Sequence, residues 1–401
     1  MTTAPQASTP IGSSPLSDAE RAHSARVVAE IRRQIHDNGG WLAFDRFMDV
    51  ALYAPGLGYY SAGNRKFGPG GDFTTAPEIS SLFSRCVAEQ CAQILRALAR
   101  ESAAPEILEI GAGTGRMAVD LLVELAQLKI LPSRYRILEV SADLRSRQEA
   151  AVATLPAALR ERVLWLDALP AEAMTGIILA NEVLDALACR RFVAGSALSE
   201  VGVEACADDS VRSALRPASD SLAAECATIM AALPSPLPVG YMSEVCPRVD
   251  AWVGTFGAAL SRGAMLLFDY GLPRAQYYHP QRSAGTLRCH FRQRVHDDPL
   301  INIGMQDITA WVDFTRVAEA AMAAGLQVSG FATQAAFLLG TGIGARLERQ
   351  ATGIARMRSS AEAQRLLLPG EMGEAFKAMA LTRGLALSLA GFQLQDLRGS
   401  L

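Results

Sequence analysis

From Pro105 onward the chain alternates short apolar runs with segments of helical periodicity. The runs are EILEI (106–110), YRILEV (135–140), VLWLD (163–167), GIILANE (176–182) and AMLLFDYG (264–271). Such alternation predicts an α/β fold, with β and α units wound around a mostly parallel sheet. Apolar segments at 327–339 and 375–382 are expected to supply the last two strands. Four of the five runs end in an acid or an Asn/Glu pair, and in sheets of this kind ligands bind outside the carboxyl ends of the strands.

Upstream, Val27, Val28, Ile31 and Ile35 recur at helical spacing between Ala19 and Asn38, and Gly39-Gly40 stops the pattern. Residues 47–80, dense in Gly, Pro and Tyr, read as a long loop, too irregular for helix or strand. A helix is expected from about Glu78 to Arg100, with Pro77 at its start. Between the fourth and fifth runs, residues 190–217 alternate like hairpin strands around an acidic turn, and the Pro-rich LPSPLPVG (233–240) follows. The predicted organisation is a disordered tail (1–20), a helical and loop extension (21–104) and a main domain (105–401). The main domain carries a lid or substrate platform at about 190–260 and a polar, aromatic insertion at 272–306.

Charge and composition exclude several function classes. The formal charge is −3, and the basic cluster Arg288, Arg292 and Arg294 is followed at once by Asp297 and Asp298, so nucleic acid is not an expected partner. Seven scattered cysteines without a Cys-x-x-Cys pair suggest neither a disulfide framework nor zinc, and the five histidines show no metal spacing. The longest uncharged stretch, 320–345, is broken by five glycines and is too polar for a membrane span. The first twenty residues carry no Lys or Arg, unlike a secretory or mitochondrial leader, which places the chain in a bacterial-type cytoplasm.

The sequence ILEIGAGTGRMAVDLL (107–122) opens a helix through three alternating glycines. A triphosphate loop needs Gly-x4-Gly-Lys-Ser/Thr, and no such Lys follows. A dinucleotide loop needs glycine where Arg116 stands, because a side chain there obstructs strand–helix packing. The spacing is Gly111, Gly113 and Gly115, with Glu109 two residues earlier. That arrangement resembles the first motif of class I S-adenosylmethionine (SAM)-dependent methyltransferases, whose ligand carries no phosphate. A ribose offers two vicinal hydroxyls, and Glu139 at the end of the second run can accept from both, although the same acid would serve NAD. Asp167, beside Trp165, is the expected acceptor for the adenine amino group. Asn181 and Glu182 end the fourth run, which in this resemblance borders the transferred methyl group.

Six further segments occur in order: GDFTTAPEIS (71–80), NEVLDAL (181–187), SEV (243–245), LLFDYG (266–271), GTLRCHFRQRVHDDPL (285–300) and DITAWVDF (307–314). From about residue 25 to 390 the chain resembles the MidA family, the mitochondrial complex I assembly methyltransferases and their bacterial relatives. The resemblance implies a Rossmann-like, seven-stranded class I methyltransferase fold with a helical N-terminal extension and an inserted lid. It also implies symmetric dimethylation of arginine on a peripheral-arm subunit of complex I, and it marks Gly71 and Asp72 as part of a loop folding over the cofactor. The chain departs from the family pattern at Ala112 and Thr114, where Pro and Arg are usual, and at Trp311, where His is usual.

Carboxylates that hydrogen-bond a guanidinium in pairs can orient one nitrogen and stabilise charge as the methyl arrives. Glu182 and Asp185 face one pocket if a helical turn begins there, and they are the expected catalytic pair. Glu78, Asp269 and Tyr270 are further substrate-side candidates. For Asp185 the plain alternative is a helix N-cap, and for Gly70-Gly71-Asp72 a simple turn. Methylation of a small molecule, or a SAM-binding assembly chaperone without turnover, stays open, as does a homodimer.

Overall fold

A computed structural model describes residues 16–62, 74–100, 104–349 and 353–401. Most of the predicted tail, and Gly70, Gly71 and Asp72, lie outside the described residues. The main sheet has seven strands: β1 (Glu106–Ile110), β2 (Tyr135–Leu138), β3 (Val163–Leu166), β4 (Met174–Asn181), β5 (Leu260–Leu272), β6 (Gln327–Thr333) and β7 (Phe376–Arg383). Their order is β6-β7-β5-β4-β1-β2-β3, with Val312–Asp313 pairing onto the end of β5. Strands β1 to β5 pair in parallel, whereas β7 runs antiparallel between β5 and β6. Strand β1 has β2 on one side and β4 on the other, so the winding reverses there and a crevice opens above its carboxyl end.

The central strands are continuous apolar runs because both of their faces are buried. Ile107, Ile177, Leu179, Ala264 and Leu266 pack under α4 (Ser81–Ala99) and α5 (Arg116–Gln127). Leu108, Ile178, Ala180, Met265 and Leu267 pack under the helices Arg248–Ala258 and Phe314–Ala323. Two domain boundaries therefore shift. Helix α4 and the helix Arg248–Ala258 belong to the main α/β layers, not to the extension and the first insertion. The last two strands stand where expected, but residues 334–340 fold as helix.

The N-terminal helix α1 (Asp18–Asp37) starts at a Ser17–Glu20 capping box and buries Val27, Ile31 and Ile35 at four-residue spacing. A correction falls on the expected loop: Phe44–Tyr53 is a helix, α2, burying Phe44, Phe47, Met48, Val50, Ala51 and Leu52. Asp45, Arg46, Asp49 and Tyr53 stay out of the core at helical spacing, so α2 is amphipathic, and what masks its period is the Gly-, Pro- and Tyr-rich sequence that follows directly. The first insertion supplies four strands of a five-stranded sheet, among them the predicted hairpin, Ser199–Ala205 with Val211–Pro217. The N-terminal strand Leu42–Ala43 joins this sheet through Val203 and Gly202. The second insertion builds a three-stranded sheet, and Leu287, Cys289, Ile303 and Ile308 share a core with α1 and α2. Extension and insertions thus form one platform beside the crevice, with cores of their own. No helix among the described residues is long and apolar enough to cross a membrane.

Candidate active site

The glycine loop leaves β1 and turns into α5 with Gly111 at φ 68°, Gly113 at 54° and Gly115 at 81°, values that L side chains adopt only with strain. At Gly111 an added Cβ would also lie 2.8 Å from Val183 Cγ2. Glu109 is buried behind the loop and accepts from the Tyr135 hydroxyl at 2.7 Å. Burial pushes its carboxyl up to about 7, with the Tyr135 bond opposing. Glu139, just past β2, accepts from Ser141 N at 2.7 Å and from Gln148 Nε2 at 2.9 Å. Glu109, Gly111, Gly113, Glu139 and Ser141 line one end of a cavity of about 1330 Å³, together with Leu138, Val140 and Leu144. The backbone of the loop at Gly111 and Gly113 and the Glu139 carboxylate thus border the same end of the cavity.

Asp167 is not brought to this cavity. Its side chain is 86% exposed, pairs with Arg145 at 2.9 Å and is not among the lining residues. Trp165 is also elsewhere, donating its indole N–H to Gln148 Oε1 at 3.0 Å. Strand β3 ends at Leu166, so Asp167 is the first residue beyond it and lies at the surface.

The other end of the cavity is acidic and aromatic. After β4 the chain does not start a helix but makes a tight turn, with Glu182 at φ 53° and Leu187 N bonding Leu184 O. The N-cap alternative for Asp185 therefore falls, yet Glu182 and Asp185 both face the cavity as expected. Asp269 makes the turn possible: buried beneath it, Asp269 Oδ2 accepts from the backbone N–H groups of Val183 (3.2 Å), Leu184 (2.9 Å) and Asp185 (3.3 Å). Asp269 is absent from the cavity lining and sits under the turn.

Glu182 Oε1 accepts from Asn181 Nδ2 at 3.1 Å and from Ala76 N at 3.3 Å, the latter opening α3 (Ala76–Ile79). Loss of bulk water, then the Asp185 charge, pushes Glu182 up to about 8. Asp185 rises to about 6 through burial, opposed by the Tyr270 hydroxyl, which also bonds Thr309 Oγ1. Among the described residues, Asp185 Oδ1 and Asn181 Oδ1 are buried without a hydrogen-bond partner, and each leaves an acceptor to be satisfied. Glu78 lines the cavity nearer the glycine loop and accepts from the Thr114 hydroxyl.

Several lining residues were missed. Asp307 is 2% exposed and accepts from the Tyr60 hydroxyl at 2.9 Å. Tyr53 stacks on Tyr60 with centroids 5.5 Å apart and donates to Ala186 O at 2.7 Å. His290 also lines the cavity, and burial holds its imidazole down at about 4, hence neutral. Asp307 heads the quoted DITAWVDF segment and was visible there, whereas Tyr53 and Tyr60 carried no spacing signal. Among the described residues no group of His, Cys, Asp and Glu could hold a metal ion.

A sheet in this order, parallel but for β7, with a left-handed glycine loop and an acid at the second strand end, defines a class I SAM-dependent methyltransferase. Residues 86–332 match the family model Methyltransf_28, described as S-adenosyl-L-methionine-dependent methyltransferase, and the chain belongs to that family. A Burkholderia thailandensis protein of the COG1565 superfamily, solved bound to S-adenosyl-homocysteine, is 39% identical. It superposes with a TM-score of 0.90 over 98% of this chain and 100% of its own. The mitochondrial protein arginine methyltransferase NDUFAF7 of Mus musculus is 27% identical over 90% of this chain and 86% of its own length. The Drosophila melanogaster NDUFAF7 homolog is 28% identical over 92% and 87%. The cofactor is SAM, and the glycine loop, Glu109 and Glu139 are the residues of this chain suited to hold it.

Proposed function

We propose that this methyltransferase modifies arginine in a protein substrate, a complex I peripheral-arm subunit, making symmetric dimethylarginine as the MidA resemblance implies. The observation that carries the reading is the acid cluster: Glu182, Asp185 and Asp307 face one cavity from separate segments, among Tyr53, Tyr60 and Tyr270. Such a set suits a cation with several N–H donors and flat faces. The names of the mouse and fly relatives agree with it.

When bound, SAM supplies an electrophilic methyl on a sulfonium. Arginine nitrogen is a poor nucleophile because its charge is delocalised and its pKa exceeds ~12. Glu182 and the free Oδ1 of Asp185 would each accept from the guanidinium, turning one nitrogen toward the methyl. As the nitrogen–carbon bond forms and the sulfur–carbon bond breaks, the nitrogen sheds one proton, and a carboxylate of the cluster takes it toward solvent. Asn181 and the Ala76 amide hold Glu182 in place throughout.

The test is transfer of labelled methyl from SAM to the recombinant complex I subunit, with the modified residue located by mass spectrometry. Label on arginine that disappears in Glu182→Gln, with cofactor affinity unchanged, is expected. Label on another residue, or full turnover by Glu182→Gln, would sink the proposal.

A further inference from the structure

Helix α6 (Ala142–Val152) follows the second strand and buries Leu144, Gln148 and Val152, four residues apart. The middle position of this stripe is an amide with no exposed surface. A buried amide in an apolar stripe is costly unless all its hydrogen bonds are made. Here they are. Trp165 Nε1, a donor only, bonds one side of the amide at 3.0 Å and so identifies that side as Oε1. The two N–H groups of Nε2 are then committed, one to Gly113 O at 3.1 Å and one to Glu139 Oε2 at 2.9 Å.

One side chain therefore joins three consecutive strand ends: the glycine loop after β1, the acid after β2 and the indole of β3. The second Glu139 oxygen is held by Ser141 N, so the orientation of that carboxylate is fixed through both of its oxygens. Gly115 completes the contact, since an added Cβ there would lie 3.1 Å from Gln148 Cα and 3.3 Å from its Cβ and Cγ.

We infer that Gln148 is a positioning residue for cofactor recognition, aiming the Glu139 carboxylate at the ribose hydroxyls and locking it in register with the glycine loop. The inference rests on Glu139 being the ribose anchor. If it holds, Gln148 acts on affinity more through the ribose than through the rest of the cofactor, which a general packing role would not do.

The experiment is isothermal titration of the full chain with S-adenosylhomocysteine and with its analogue lacking both ribose hydroxyls. Wild type, Glu139→Gln, Gln148→Met and Gln148→Glu are compared, and ligand-free thermal unfolding of each variant reports on the fold. Gln148→Met removes all three bonds at similar length and should weaken S-adenosylhomocysteine roughly tenfold, with the analogue changed by less than about twofold. Gln148→Glu keeps the acceptor for Trp165 and sets a second carboxylate against Glu139, so affinity should fall further at pH 8 and recover on acidification as a proton enters the pair. It provides the reading should Gln148→Met fail to fold. Equal weakening of both ligands by the Gln148 variants, while Glu139→Gln discriminates between them, would overturn the role of Gln148 alone. If Glu139→Gln also fails to discriminate, the ribose anchor falls and the inference with it.

Discussion

The two ends of the cavity are built on opposite plans. At the glycine-loop end Glu109 and Glu139 both have hydrogen-bond partners, and they come from residues within thirty positions of one another. At the acidic end Tyr53, Glu182, Asp185 and Asp307 come from three distant stretches, and Asp185 Oδ1 and Asn181 Oδ1 are buried with no partner among the described residues. The contrast teaches which end is preformed and which waits for its ligand. A pocket for an invariant cofactor can be satisfied in advance, whereas a pocket for an incoming cation must keep its acceptors free.

Breaking the acidic end should have the largest effect. Glu182→Gln combined with Asp185→Asn is expected to lower turnover by roughly 10²–10³-fold while leaving the cofactor dissociation constant within about twofold. Single-turnover methyl transfer and titration calorimetry, run on the same preparation, check both halves. Equal losses in turnover and cofactor affinity would show that the two ends are not separable.

Breaking the glycine-loop end comes next. Gly111→Val combines a strained φ of 68° with a Cβ 2.8 Å from Val183 Cγ2, so cofactor affinity should fall more than about tenfold. Because Val183 lies in the turn beside Glu182, this variant should also slow turnover at saturating cofactor.

A pH titration sharpens the comparison. Glu182 titrates near 8, Glu109 near 7 and Asp185 near 6, all above the ordinary carboxylate range. Between pH 5 and 8 the folded chain therefore holds protons that the unfolded chain has released, so ligand-free stability should fall as pH rises through this window. Affinity for an arginine peptide should do the opposite, strengthening up to about tenfold per pH unit below 8, because a cation favours ionised Glu182. Differential scanning fluorimetry and peptide titration across pH 5.5–8.5 read the two trends, and parallel slopes would contradict the assignment.

Two smaller effects complete the series. Asp269→Asn replaces the acceptor of three backbone N–H groups with a neutral one and should cost about 1–3 kcal/mol of stability, with turnover reduced because the 182–185 turn loosens. Asp167→Asn should change cofactor affinity by less than about twofold, since the side chain is exposed and paired with Arg145. A large loss there would restore the adenine role read from the sequence.

Local pattern by itself determined the main sheet. Its central strands carry both faces buried, so each of them announces itself as an apolar run, and the loop glycines must be where they are because positive φ admits little else. Glu182 and Asp185 were legible for the same reason, standing at a strand end. The helix α2 was not, because only ten residues carry its period before the Gly- and Pro-rich sequence at 55–58 breaks it. Nor could pattern tell that Asp269 lies beneath a turn, or that Asp167 faces solvent. Only the tertiary structure decided how Leu42–Ala43 joins the first insertion, how the second insertion brings Asp307 to Tyr60, and how Gln148 spans three strand ends. The physical reason is that local structure obeys short-range periodicity, while a substrate pocket is assembled from side chains whose proximity depends on packing between residues far apart in the chain.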